Sequence, residues 1–249
     1  MKKSAVLNPF AALLILSAAL ILFSGPAQAY VYDNFTGSGI NPKLWTDIGP
    51  NTGLFSQPSG GPLYFINSSG HQGDMLESHN PVSGAFFVSM QFSNFAATNT
   101  STGEFTGSSV GLWVGDVNDL YMAVYSLKES GAVRHFRANS DINGSRTHLG
   151  PAFPQVVDNG WLGVGFNGVL GSGGELTFWY KDGSGWTELA SAAPDFSSDP
   201  YFGILGDDLN GISLRFRVHE VDLTPLPPSA LLLGSGLLGL VGWRGFKKS

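Results

Sequence analysis

Ile212-Ser213-Leu214-Arg215-Phe216-Arg217-Val218 alternates apolar and polar side chains without a break. Ile212, Leu214, Phe216 and Val218 should face one way, and Ser213, Arg215 and Arg217 the other. That period of two, with one wet face, marks a half-buried antiparallel strand. After Val218 the phase changes. Val221 and Leu223 become the apolar positions, while Glu220 and Asp222 are acidic. A one-residue shift of face is what a β-bulge produces, so a bulge is expected near His219.

Working outward, the same pattern recurs. Phe86, Val88, Met90 and Phe92 share one face of a second strand, Phe86–Phe92. Further strands are predicted at Tyr30–Phe35, Leu63–Asn67, Val110–Gly115, Leu120–Leu127, Ala132–Ala138, Trp161–Asn167, Leu176–Tyr180, Thr187–Ala190 and Tyr201–Leu205. Glycine-containing turns such as Ser130-Gly131 and Lys181-Asp182-Gly183 separate them. No helix is expected between Tyr30 and Thr224. Roughly a dozen short strands in one segment imply an all-β, two-sheet antiparallel jelly-roll sandwich.

Three of these strands define a candidate ligand face. If the loops Asp116–Asp119 and Lys128–Gly131 close symmetric hairpins, Trp113 lies opposite Met122, Met122 opposite Arg137, and Val124 opposite His135. One face then carries Gly111, Trp113, Met122, Val124, His135 and Arg137. The other carries Val110, Leu112, Val114, Tyr121, Ala123, Tyr125 and Phe136, which reads as core. Trp113 is expected to present an open ring to a sugar, with His135 and Arg137 supplying hydrogen bonds. The alternative is that Trp113 is packed under a loop.

The two ends carry a different pattern. Lys2 and Lys3 precede an apolar run, Phe10 to Phe23. Gly25 and Pro26 break it, and Ala27-Gln28-Ala29 is a small-x-small cleavage site. Residues 1–29 therefore read as a signal peptide, with the mature chain starting at Tyr30. At the other end, Pro225-Leu226-Pro227-Pro228 forms a stiff spacer before an apolar run, Ala230 to Trp243, and a basic end of Arg244, Lys247 and Lys248. With basic residues outside both runs, the segment between them is expected outside the cytoplasm.

Pro225 to Arg244 resembles the PEP-CTERM sorting signal of Gram-negative bacteria, with Pro-Leu-Pro-Pro where that signal has Pro-Glu-Pro. The resemblance implies transient anchoring in the inner membrane through residues 225–249. It also implies processing by an exosortase after signal peptidase, and delivery to the cell surface or extracellular matrix.

Between the ends, Tyr30 to Thr224 holds eight lysines and arginines against nineteen carboxylates, a net charge of −11. A segment this acidic lacks the electrostatic footprint for nucleic acid. The chain has no cysteine, which excludes thiol catalysis, zinc–thiolate sites and iron–sulfur clusters.

The order of landmarks resembles the concanavalin A-like lectin/glucanase sandwiches. Asp33-Asn34-Phe35 with Trp45 resembles their opening strand. Gly111-Leu112-Trp113-Val114-Gly115-Asp116 and Asn118-Asp119-Leu120-Tyr121 resemble the central hairpin. Gly160-Trp161, Leu176 to Gly183 and His219 to Asp222 resemble the late and closing strands. Laminarin-type glycosidases of that fold carry Glu-x-Asp-x-x-Glu, which sets the catalytic carboxylates on one face. Here Glu220-Val221-Asp222 is followed by Leu223 and Thr224, so the third carboxylate is missing. No Gly-x-Ser-x-Gly elbow, His-Glu-x-x-His helix or phosphate-binding loop occurs. The chain is read as non-enzymatic.

Calcium is the one cofactor that the loops suit. Asp116, Asn118 and Asp119 cluster oxygen ligands in one turn, and Asp207, Asp208 and Asn210 in another. Asp and Asn also favour turns for their own sake. His71 and His79 flank Asp74 and Glu77 in what reads as a polar loop. The function expected is lectin-like glycan binding or association with exopolysaccharide. The alternatives are a glycan-active enzyme of unfamiliar type and a purely structural surface component.

Overall fold

Why each strand forms is visible in its burial. The computed structural model describes residues 29–67, 73–99, 108–116, 119–128, 133–168, 174–183, 185–194, 196–208 and 211–226. Among them are sixteen strands and no helix. They are β1 (Tyr30–Asp33), β2 (Trp45–Asp47), β3 (Phe55–Ser56), β4 (Leu63–Asn67), β5 (Asp74–Ser78), β6 (Phe86–Asn99), β7 (Ser108–Gly115), β8 (Asp119–Lys128), β9 (Val133–Ile142), β10 (Ser145–His148), β11 (Phe153–Pro154), β12 (Asn159–Phe166), β13 (Leu176–Lys181), β14 (Trp186–Ala192), β15 (Tyr201–Asp208) and β16 (Gly211–Pro225). The apolar runs of the two ends, which the sequence reads as a signal helix and a C-terminal hydrophobic helix, lie outside the described residues, as do Ala27 of the cleavage site and Pro227, Pro228 and Arg244 of the tail. Pro225 is the last residue of β16.

The strands form two sheets. The first has the order β14-β13-β12-β6-β16-β4-β3, with β1 also paired to β16. The second has the order β10-β9-β8-β7-β15-β5-β2, with β11 also paired to β9. The sheets face each other across a single apolar core. Phe65 and Phe216 stack at 4.9 Å, and Phe136 stacks on Tyr180 at 4.4 Å. Tyr125 is fully buried, yet its hydroxyl is satisfied. It accepts from the Val157 amide at 3.0 Å and lies 3.2 Å from the Val157 carbonyl oxygen, to which it can donate. This is the antiparallel sandwich that the alternation predicts.

The face switch along β16 is present. Leu214, Phe216 and Val218 are buried, and then Val221 and Leu223, all within one continuous strand. A second switch lies in β6. Phe86, Val88, Met90 and Phe92 point into the core, and then Phe95 does. Asn94 between them is exposed and takes a left-handed φ of 54°, a conformation that Asn tolerates better than most residues.

Five short strands escape the sequence pattern: β2, β3, β5, β10 and β11. The case of β5 corrects the expectation of a polar loop. Asp74, Leu76 and Ser78 point inward, so Glu77 lies on the opposite face and cannot share a ligand with Asp74. Two of the three inward positions are polar, which hides the period. Asp74 accepts from the amides of Leu54 (3.1 Å) and Met75 (3.0 Å), and the Ser78 hydroxyl accepts from the Phe202 amide (3.2 Å). His79 donates its amide to Leu44 O, and His71 lies outside the described residues.

Candidate functional site

The second sheet brings the predicted face together. Gly115 pairs with Leu120 and Trp113 with Met122, as a four-residue loop dictates. The next hairpin differs by one residue at each strand end. Lys128 pairs with Val133, so Val124 lies opposite Arg137, Ser126 opposite His135 and Met122 opposite Asn139. Partners shift by two positions, and an even shift keeps every side chain on its face. Trp113, Met122, Val124, His135 and Arg137 therefore share the side of the sheet turned away from the core.

That side is concave. Arg146 on β10 donates from Nη1 to Asp207 Oδ2 on β15 at 2.9 Å. The two strands are four steps apart in the sheet, about 19 Å if it were flat. The sheet must curl toward this face to let them meet. Arg146 also lies 3.5 Å from Asp141.

The open ring expected of Trp113 is not present. The residue is 1% exposed, in a small apolar cluster with Met122, Val124 and Leu205 that is separate from the main core. The cause is Gly203, its neighbour on β15. A Cβ there would lie 2.5 Å from two indole atoms, so the ring lies flat against bare backbone. Trp113 Nε1 is buried and has no hydrogen-bond partner. Around this cluster runs a polar chain. Arg137 Nη1 contacts His148 Nε2, and His148 Nδ1 lies 2.8 Å from Asn139 Oδ1. Arginine only donates, so His148 accepts at Nε2 and carries its proton at Nδ1. His135 Nε2 lies 3.1 Å from Ser126 Oγ. His135 and Arg137 are both buried.

The acidic loop after β7 closes on itself. Asp116 Oδ1 accepts the Asp119 amide at 3.2 Å, Asp116 Oδ2 accepts from Ser197 Oγ at 3.4 Å, and the Asp116 amide returns to Asp119 O. One Asp116 oxygen serves the turn, which is the ordinary work of Asp at a tight connection, and the other ties the turn to Ser197. Asn118 and Asn210 lie outside the described residues. Among the described residues, no three His, Cys, Asp or Glu side chains gather as a metal site. On β16, burial and the nearby Glu220 charge hold the Asp222 carboxyl above its ordinary range.

A feature missed in the sequence lies on the outward face of the first sheet. Trp161, Trp179 and Trp186, three of the six tryptophans, share it with Phe87. The Trp186 ring meets Phe87 edge-on at 5.3 Å and Trp161 at 6.5 Å, and Lys181 Nζ sits 5.9 Å over the Trp161 ring. Gly163 makes the room. A Cβ there would lie 2.6 Å from Phe87 and 2.9 Å from Trp186, so both rings settle onto the sheet. Trp186 remains 39% exposed. Gln91 borders Trp161, and Glu188 borders Trp179. The signal was present as alternation: Trp161-x-Gly163-x-Gly165 beside Thr177-x-Trp179-x-Lys181.

No family model matches the chain, and no curated protein matches it. Solved structures do. A functionally unknown protein of Saccharomyces cerevisiae superposes with a TM-score of 0.54 at 14% identity, covering 74% of this chain and 97% of its own. Winged bean acidic lectin, complexed with methyl-α-D-galactose, gives 0.51 at 12% identity over 79% and 97%. An alginate lyase in complex with an alginate trisaccharide gives 0.52 at 10% identity over 80% and 97%. Identities this low establish architecture and no more: the chain folds as a concanavalin A-like lectin/glucanase sandwich.

Proposed function

We propose that this chain is an exported, non-enzymatic glycan-binding protein of a bacterial cell surface or extracellular matrix. The observation that carries the binding role is the aromatic platform of Trp161, Trp179, Trp186 and Phe87. A tryptophan left 39% exposed against two other rings makes a contiguous aromatic surface of the kind that marks binding sites. A pyranose has an apolar C–H face and a polar rim. It can stack on the indole while Lys181, Glu188 and Gln91 exchange hydrogen bonds with its hydroxyls. Support for export comes from the two ends: the Ala27-Gln28-Ala29 site, and the proline spacer, apolar run and basic close of residues 225–249. In this reading signal peptidase and an exosortase act on the chain, and polysaccharide is its lasting partner. The non-enzymatic reading rests on Leu223 and Thr224 standing where a third carboxylate would follow Glu220 and Asp222.

The test is a glycan-binding screen on the full chain, run with and without calcium, followed by Trp186→Ala. The expected result is binding that weakens about tenfold or more in the variant, with little change in melting temperature, because the ring is at the surface. A screen with no binder, or a variant that binds unchanged, counts against the platform. Turnover of a bound glycan, lost in Glu220→Gln, would move the protein to the glycan-active enzymes.

A further inference from the structure

On the same outward face, sharing β6 with the platform, a groove of about 420 Å3 runs beside the turn in β6. Tyr64 and Ile66 of β4, Asn94 and Ala96 of β6, and Arg215 and Arg217 of β16 line it. We propose that this groove binds the anionic substituent of an acidic saccharide, so that the ligand is a polyanionic glycan. The inference rests on the glycan reading above and names the chemical class of that glycan.

Four observations carry it. Arg215 and Arg217 project from one face of β16, two residues apart, so their like charges lie side by side. Neither has a carboxylate within ion-pair distance among the described residues. No acidic side chain lines the groove from β4, β6 or β16, although the segment from Tyr30 to Thr224 carries a net charge of −11. Among the described residues, these two cations stand side by side with no carboxylate paired to either, which favours an anionic ligand.

Second, the geometry is held. Arg217 stacks 4.9 Å over the Tyr64 ring. With the Asn94 amide turned to satisfy both partners, its oxygen accepts from Arg217 Nε at 3.3 Å and Nη1 at 3.1 Å. A guanidinium fixed in this way presents the planar fork that suits a carboxylate or sulfate oxygen pair. Third, Ile66 is 54% exposed at the rim and gives a sugar ring an apolar floor next to the charge. Fourth, the groove and the platform adjoin. Gln91 pairs with Trp161 and Ser93 with Asn159, which puts Trp161 three residues along β6 from Asn94. A short oligosaccharide lying across β12, β6 and β16 would reach both.

Tetragalacturonate, a sulfated cello-oligosaccharide, neutral cellotetraose and inorganic sulfate, each titrated into the full chain, test this. The acidic oligosaccharides should bind more tightly than the neutral one, and their affinity should fall with added salt. The Arg215→Gln/Arg217→Gln pair should weaken acidic binding about tenfold or more while neutral binding stays the same. Arg215→Gln alone, at an exposed position, guards against misfolding and should reproduce part of the loss. Equal affinity for acidic and neutral ligands, or an unchanged double variant, overturns the proposal. So does a site that answers to inorganic sulfate alone. If neutral glycans bind through Trp186 and acidic ones gain nothing, the glycan reading stands and the groove does not. If acidic ligands bind through the arginines and Trp186→Ala is silent, the groove stands and the platform does not.

Discussion

Single residues in this protein do work that their type alone does not announce. Asp33 holds the opening of the chain. It accepts the Trp45 indole N–H and the Phe35 amide, both at 2.8 Å, and Phe35 takes a left-handed φ of 50° with its ring fully buried. Asp74 is buried beneath the Gly49 loop, where a Cβ would lie 2.0 Å from its carboxylate. Burial, and then the neighbouring Asp47, push its carboxyl up to about 6. The folded state thus holds this proton more tightly than the unfolded chain, whose aspartates titrate near about 4. Stability should therefore fall as pH rises from about 4 through about 6, and no further from this group above that. Glu77 and Asp222 are shifted in the same direction by burial, so they add to the slope. His219, shifted down by burial and by Arg217, slopes the other way, so the expected observation is a difference: from pH 5 to pH 7.5 the urea midpoint of the parent chain should fall relative to that of Asp74→Asn. The same pH dependence in parent and variant would exclude this account.

At the scale of elements, two strands change face part-way, and the changes place the surface chemistry. In β6 the left-handed Asn94 lets Phe92 and Phe95 both reach the core, leaving Asn94 outward beside Arg217. Replacing Asn94 by Ala forces a Cβ-bearing residue without a local hydrogen-bonding group into that conformation. It should cost about 1–2 kcal/mol, whereas Asn94→Gly should cost less because glycine accepts the φ. Equal losses in denaturant titrations would show that the Arg217 contact, and not the backbone, dominates. In β16 the switch after Val218 is legible from sequence because both faces are strongly marked. The short strand β10, Ser145-Arg146-Thr147-His148, is not legible, since all four residues are polar and it pairs only as an edge of the sheet.

For the whole molecule, residues 29–224 form one compact unit around the inter-sheet core. Outside that core the chain carries a second, small apolar cluster on the concave face around Trp113, and an exposed aromatic face on the opposite sheet. The export reading has its own consequence at this scale. Protein recovered from outside a cell that has the matching sorting machinery should have the mass of a chain that begins at Tyr30 and lacks Arg244 to Ser249. Recovery of a chain that still carries Arg244 to Ser249 would remove the sorting tail from the account.

The sequence by itself determined the all-β class, most strand positions and which side of each strand is core, because period-two alternation reports burial directly. It also determined the faces of the central hairpins: a pairing error of two residues changes partners but not sides. What it could not determine was whether a given outward side chain meets water. Trp113, between Leu112 and Val114, and Trp186, between Gly185 and Thr187, both lie outside the inter-sheet core. One is 1% exposed because Gly203, ninety residues later, lies beneath its ring in a curled sheet; the other is 39% exposed on the opposite sheet. Sheet order and curvature depend on pairings between residues far apart in the chain, and only the tertiary structure decided them.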